Sequence, residues 1–497
     1  MERLLEEFKE NLAKEISEDF INIGTKLSSY NYLDILWTFI YNCISIIKSL
    51  FFIGNIMMIL MSEAVFYLFW QDYNTTIGRV TRRLTEKNVL YVKMFQAFAL
   101  NKNLIDETIN KEIIKYCDCV PYTNDDIDLK TIYSIADKYN LDFEDPDKKN
   151  PINSGMISLV FKLKSKDNGK IFILKLKRQY IDYKLNEGIE RFKFLSWIIS
   201  FIPWFNTLEI PLLFNKNIEI LKEQLDFKSE IKNTIQMKDA CKFNNFIKIP
   251  EIVEGVNSLF PNAILMEYID GCHLSKVDPS DYYQFAKLVF KYGCINIVSH
   301  GLFHGDLHSG NILFIKNKEE TIDIPKYQIG IIDFGIVMRI NEDCKKGFFK
   351  IFTELFTSDP REFAILIFDN LLEPKGILNE LPNEHKTNIL NIIEKLIYPL
   401  IKKNKKMDQS AFFEFIINFN DYLSSENLKR YGIRVNDEFI KMQMGIAMAH
   451  GISIVLCKDN VMEMVKEVLN EIFHLDVMMD LLEESESESE SEHESES

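Results

Sequence analysis

The chain has 497 residues, 47% of them hydrophobic and 27% charged, which is enough for two or three domains with real cores. Its formal charge is −16, and eight glutamates between Glu483 and Ser497 supply half of it. The body is therefore only mildly acidic and lacks the basic surplus that nucleic-acid binding requires, so no nucleic-acid partner is expected.

Residues 1–29 pattern as an amphipathic, Glu-rich helix. A mitochondrial presequence is Arg-rich and poor in acids, and a secretory signal needs a short apolar core with a small-residue cleavage site. Neither pattern is present, so the expected location is membrane-associated or cytoplasmic. A mean hydropathy of −0.08, together with 38 phenylalanines, points to one greasy segment over an ordinary background. That segment is Ile35–Trp70. Within it, Ser49–Trp70 has the length to cross a bilayer core of about 30 Å and carries one ionisable residue, Glu63. A carboxylate near the bilayer centre costs about 2.5 kcal/mol or more. Membrane contact and a buried hairpin covering the rest of the chain are both open on these grounds.

Residues 1–74 thus form an N-terminal amphipathic and hydrophobic segment, and residues 75–150 a helical extension of mixed charge. The pair Cys117 and Cys119 has no second pair or nearby His to complete a zinc set, and reads as reduced thiols. The run Asp145–Pro151 marks a boundary. Beyond it, Ile157–Leu163 and Lys170–Leu176 read as strands joined by the turn Ser165–Gly169, with further strands at Ala263–Tyr268, Asn311–Ile315 and Gln328–Asp333. From Asn341 to Asp476 the pattern is almost wholly helical. The expected organisation is a strand-rich lobe over 151–270, a helical lobe over 271–475, and an acidic disordered tail over 476–497.

The strongest chemical signal is His304–Asn311, HGDLHSGN. Phosphoryl transfer uses a carboxylate to orient the attacking hydroxyl and accept its proton, and a metal ligand one short loop away. Asp306 and Asn311 have that spacing. Asp333, in IGIIDFG, follows at the distance expected of a second magnesium ligand delivered by a strand. Upstream, Lys175 lies inside an apolar strand, where a bare ammonium is costly, and Glu230 on the next predicted helix is its expected partner. Lys162 and Lys177 are strand lysines too. The main chain near Glu267 and Tyr268 is expected to meet the adenine edge. His304 is expected to anchor the catalytic loop rather than to form a metal pair with His308, because Gly305 and Gly310 argue for a loop. The phosphate-covering segment Pro151–Val160 has a single glycine, Gly155, and would not by itself suggest a nucleotide site.

These motifs resemble the UbiB family of atypical kinase-like proteins, associated with coenzyme Q biosynthesis, over about residues 75 to 475. HGD at His304–Asp306 is the family's form of that loop. Tyr91–Ala97 is similar to its K-x-G-Q motif, with Lys93 and Gln96 retained and Phe95 in place of the glycine. Gln224–Asp226 is similar to its E-x-D motif, with Asp226 retained and Gln224 replacing the acid, and Glu230–Asn233 is similar to the E-A-x-N that follows. The Ala-rich phosphate loop of the family corresponds to Ile152, Asn153, Ser154, Gly155, Met156 and Val160 here, and is largely altered. The resemblance implies an α+β, two-lobed kinase-like fold with a helical N-terminal extension. It further implies ATP and Mg2+ as cofactors, and ATPase or phosphotransferase activity toward a small-molecule or lipid acceptor. Lys93, Gln96 and Asp226 would be family-specific regulatory positions. Two alternatives stand beside it: a kinase-fold scaffold using ATP as a switch, and a small-molecule kinase of the aminoglycoside or choline type.

Overall fold

The computed structural model describes residues 32–88, 91, 120–144, 150–199, 222–354, 359–402, 418, 422, 428, 431–457 and 460–473. Lys93, Gln96, the cysteine pair, the first 31 residues and the acidic tail lie outside the described residues. The chain divides into two compact units: Met1–Asp126 with Ser154–Met156 and Gln179–Ile218, and Ile127–Asn153 with Ile157–Arg178 and Glu219–Ser497.

The first unit is mainly helical where described. Tyr32–Trp70 is one unbroken helix of 39 residues, so the greasy segment does not fold on itself as a hairpin. The turn after it places Gln71 at φ 49, and Asp72 then caps a second helix, Tyr73–Thr85, by accepting the Thr75 N–H. This basic helix folds back on the first. Arg79 and Arg83 reach Glu63 at 2.8 and 2.6 Å, and Glu63 is only 1% exposed. A third helix, Ile181–Ile199, brings Arg191 over the Phe52 ring at 5.0 Å, and Tyr91 stacks on the same ring. Ser49, Phe52, Ile59 and Glu63 form the inward stripe of the long helix, at helical spacing. Phe51, Met58, Met61, Leu68, Phe69 and Trp70 point outward, with Phe51 76% and Phe69 77% exposed. The polarity of a soluble helix is inverted here: the only acid of the Ser49–Trp70 stretch is inside and large apolar groups are outside, so the long helix is not a buried cover either.

The second unit has a strand-rich and a helical part. Four antiparallel strands lie in the order Leu141–Phe143, Ser158–Ser165, Ile171–Lys177, Ala263–Glu267. The central hairpin turns where Gly169 takes φ +71, a left-handed conformation that costs glycine little. Alternation buries Leu159, Phe161, Leu163, Leu174 and Leu176 on one face. Val160 and Ile264 flank Lys175 in register on the other. Lys162 and Lys177 share that face, and only their partners separate them from Lys175: Lys162 pairs with Glu144 at 3.0 Å, and Lys177 lies 5.4 Å from the Phe227 ring.

In the helical part, Ile312–Lys316 pairs with Tyr327–Ile331, with Ile312 opposite Ile331. The last predicted strand thus stops at Ile331, and Asp333 sits on the turn beyond it. Leu302–His304 pairs with Val337–Arg339. The helix Tyr282–Ile295 packs on Asp437–Leu456 and Val461–Phe473 around Val289, Phe290, Ala449 and Val468. A second core joins Pro360–Leu371 to Asn383–Lys402 through Phe363, Ile367, Ile393 and Ile397. Among the described residues after Asn341 the elements are helices apart from a short antiparallel pair, Leu372–Glu373 with Arg434–Val435.

Two described helices are long and apolar enough to cross a membrane by length and composition: Cys43–Trp70, with mean hydropathy 2.1, and Asp437–Leu456, at 1.4. The second contributes Ala449, Ile452 and Leu456 to the core. The architecture is α+β, a two-lobed protein-kinase-like fold with a helical N-terminal extension.

Candidate active site

Lys175 leaves the sheet on the face opposite its leucines. Its Nζ lies 2.6 Å from Glu230 Oε1 and 2.8 Å from Asp333 Oδ2. Glu230 is on the helix Phe227–Cys241, whose N-terminus Asp226 caps by accepting the Lys228 N–H at 3.0 Å and the Ser229 hydroxyl at 2.8 Å. Those two bonds, the hydroxyl first, hold the Asp226 carboxyl below its usual range.

One ammonium thus faces two carboxylates, the buried one of Glu230 and the half-buried one of Asp333. Burial opposes the charge on Lys175, but Asp333 and Glu230 outweigh it and raise its pKa. Burial also works against Asp333, but Lys175 and the Gly335 N–H, at 2.9 Å, keep it well below the carboxylate range. Glu230 is the weaker partner: burial pushes its pKa up to about 7 against the pull of Lys175, and Asp333 adds to the rise.

The two loops at the end of the Ile312–Ile331 pair meet through Asn311. Its Nδ2 donates to the Asp306 carbonyl at 3.0 Å, and its own carbonyl accepts the Ile332 N–H at 3.2 Å. His304 is buried, and its Nδ1 accepts the Asp306 N–H at 3.1 Å. Burial keeps the ring neutral, below its ordinary pKa, although Asp333 and Asp306 favour a proton there. His304 therefore shapes the loop, as expected. His308 spends its Nδ1 on the Gly310 N–H, so the two histidines do not act as a metal pair. Gly305 has a steric cause: a Cβ there would lie 2.6 Å from Ile336 Cγ2.

Lys175, Glu230, Asp306, Asn311 and Asp333 are thus linked within one unit. Ser154, Gly155 and Met156 fall in the other, where the Ser154 hydroxyl donates to the Val120 carbonyl at 2.6 Å. The Ile152 N–H bonds to the Val160 carbonyl at 2.8 Å, and Asn153 begins a two-residue strand. Glu267 ends its strand with its N–H already given to the Glu251 carbonyl, and the Tyr268 ring lies 4.2 Å from Lys162 Nζ. The main-chain donor at Glu267 is therefore not open to a ligand.

Two features were missed from sequence. Gln224 donates from Nε2 to Asp306 Oδ2 at 3.4 Å. Arg339 donates to Asn233 at 3.0 Å and to Gln236, while Asn233 donates to the Phe334 carbonyl at 3.0 Å. The similarity of Glu230–Asn233 to E-A-x-N was the one available signal for the second.

Residues 135–366 match the ABC1 atypical kinase-like domain. A probable protein kinase UbiB of Glaesserella parasuis is 24% identical over 314 residues, covering 60% of this chain and 56% of that protein. The probable serine/threonine-protein kinase abkB of Dictyostelium discoideum is 24% identical over 330 residues, covering 62% and 47%. The match therefore spans about half the length of these relatives. A probable protein kinase UbiB of Cronobacter sakazakii is 22% identical over 397 residues, covering 78% and 69%. Among solved structures, Rv3197 of Mycobacterium tuberculosis, in complex with erythromycin, gives a TM-score of 0.42 at 14% identity, covering 84% of this chain and 98% of that one. The Rio2 kinase of Chaetomium thermophilum, in an ADP/Mg2+-phosphoaspartate complex, gives 0.27 at 17% identity, covering 55% and 79%. Residues 135–366 thus match an ABC1 atypical kinase-like domain, and the chain is similar over part of its length to proteins named as probable UbiB protein kinases.

Proposed function

We propose that the chain binds ATP with Mg2+ and transfers the γ-phosphoryl group to water or to a small-molecule or lipid acceptor. The observation that carries this reading is the contact of Lys175 with both Glu230 and Asp333. It sets an ammonium where phosphates can replace one of its carboxylates. Lys175, oriented by Glu230, would hold the α- and β-phosphates. Val160, paired with Lys175 in the sheet, would cover the nucleotide with Ile152 and Asn153, and the carbonyl side of Glu267 and Tyr268 would meet the adenine.

Asp333 and Asn311 offer a carboxylate and an amide oxygen, hard donors of the type Mg2+ takes in ones and twos beside phosphate and water. Magnesium, when bound, would neutralise charge on the transferring group. Asp306 would orient the acceptor hydroxyl and take its proton, with His304 fixing the loop beneath it. Residues 151–270 and 271–475 would be the two lobes, and residues 1–74 and 75–150 the membrane-contacting segment and the regulatory extension with Lys93, Gln96 and Asp226. The outward apolar face of Tyr32–Trp70 supports action at a membrane, and the mildly acidic body supports no nucleic-acid partner.

ATP hydrolysis by the wild type and Asp306→Asn tests the reading. Turnover is expected to fall by about a hundredfold or more, the usual worth of a positioned general base, with nucleotide binding retained. Equal turnover in the two proteins would leave the second reading, a nucleotide-dependent scaffold. The contact of Gln224 with Asp306 favours that alternative.

A further inference from the structure

Gln224 sits two residues before the capping Asp226 and reaches across 82 positions of chain to Asp306. Its amide nitrogen can only donate. It therefore presents to Oδ2 the same kind of group that an acceptor hydroxyl or an attacking water would present. A carboxylate at position 224 could not make this bond and would repel Asp306 instead. Both side chains are only partly buried, so solvent reaches the contact.

We propose that Gln224 is an acceptor gate. Its amide holds the lone pair of Asp306 on which the acceptor must dock, and phosphoryl transfer to water proceeds only when Gln224 withdraws. This rests on the phosphotransferase reading. In the gated step a water oxygen bonds to the γ-phosphorus as the bond to the bridging oxygen of the ADP leaving group breaks, and Asp306 takes the water's proton. A true acceptor with a stronger donor, or one that binds Gln224 itself, would open the gate. Wasteful hydrolysis would stay low without it.

The test uses the full chain with Gln224→Met, which keeps the bulk but has no donor, alongside Gln224→Ala, wild type and Asp306→Asn. Steady-state ATP hydrolysis is read as kcat and KM separately, and nucleotide affinity is read by titration. In Gln224→Met kcat is expected to rise about twofold to threefold, the factor set by a long hydrogen bond at the weak end of the net range. KM for ATP and nucleotide affinity should not move, and adding Asp306→Asn should abolish the gain. If Gln224→Met behaves as wild type while Gln224→Ala is faster, bulk rather than the hydrogen bond blocks access, and the gate as stated is overturned. A kcat at or below wild type in both variants also overturns it, leaving an Asp306-dependent activity and hence the phosphotransferase reading intact. If Asp306→Asn has no effect on any of these proteins, both proposals fall.

Discussion

At the scale of single residues the site is governed by a shortage of positive charge. Lys175 serves two carboxylates, and Glu230, the more deeply buried, pays with a pKa of about 7. A carboxyl raised from 4.5 in this way contributes stability while protonated, and that contribution is lost as pH rises from about 4.5 through about 7. Glu230→Gln removes the titration. Its melting temperature relative to wild type is expected to rise by a few degrees between pH 5 and pH 8, at about 1.4 kcal/mol for each unit of pKa. Taking the difference cancels the opposite slope of His304, whose depressed pKa gives stability that increases with pH. A flat difference would place the raised titration elsewhere. Gly305 gives a second prediction at this scale. An added methyl group has to displace Ile336, so Gly305→Ala should cost about 1–3 kcal/mol, read as a lower urea midpoint with unchanged slope.

At the scale of elements, a polar clamp joins the Glu230 helix to the segment after Asp333. Asn233 gives its amide N–H to the Phe334 carbonyl and takes one from Arg339, which also holds Gln236. Asn233→Ala leaves a buried carbonyl unpaired, at about 1–3 kcal/mol. Because the clamp sets where Glu230 and Asp333 stand relative to Lys175, nucleotide affinity should fall together with stability. Arg339→Lys keeps the charge but loses the forked geometry, and should show a smaller loss of the same kind. Isothermal titration with nucleotide and thermal melts of both variants check this, and retained affinity in a destabilised Asn233→Ala would make the clamp purely structural. Elements of this kind also mark what the sequence could reveal. Asp306, Asn311 and Asp333 were legible because short fixed spacings beside apolar strands encode them, and Lys175 because a strand-interior ammonium demands an explanation. The closeness of Gln224 to Asp306, or of Arg339 to Asn233 across 106 positions, is written in no local pattern, since folding of distant segments creates it. The continuous helix Tyr32–Trp70 was ambiguous for another reason: hydropathy summed along a segment carries no information about which face turns inward.

For the whole molecule, that orientation decides how the chain meets its surroundings. A soluble protein gains by burying its apolar residues, yet the long helix buries Ser49 and Glu63 beside Phe52 and Ile59 and leaves Phe51, Met58, Leu68 and Trp70 outside. Two arginines neutralise Glu63 from the second helix, so its charge no longer opposes contact with hydrocarbon. Arg79 and Arg83 also keep the end of the long helix paired to a strongly basic partner, Tyr73–Thr85. Deep insertion of Ser62–Trp70 would drag those arginines with it. A helix lying along the interface, apolar side down, satisfies both facts, because arginines remain at headgroup depth while Phe, Met, Leu and Trp enter the acyl boundary. The full chain should therefore co-float with vesicles containing anionic lipid. Replacing Phe51, Met58 and Leu68 together by Glu should abolish flotation at unchanged melting temperature, since none of the three packs inside the protein. Raising the salt should weaken binding only partly, because screening removes the attraction of the arginines to anionic headgroups but leaves the apolar contact. Flotation unaffected by the triple substitution would assign membrane contact to another part of the chain.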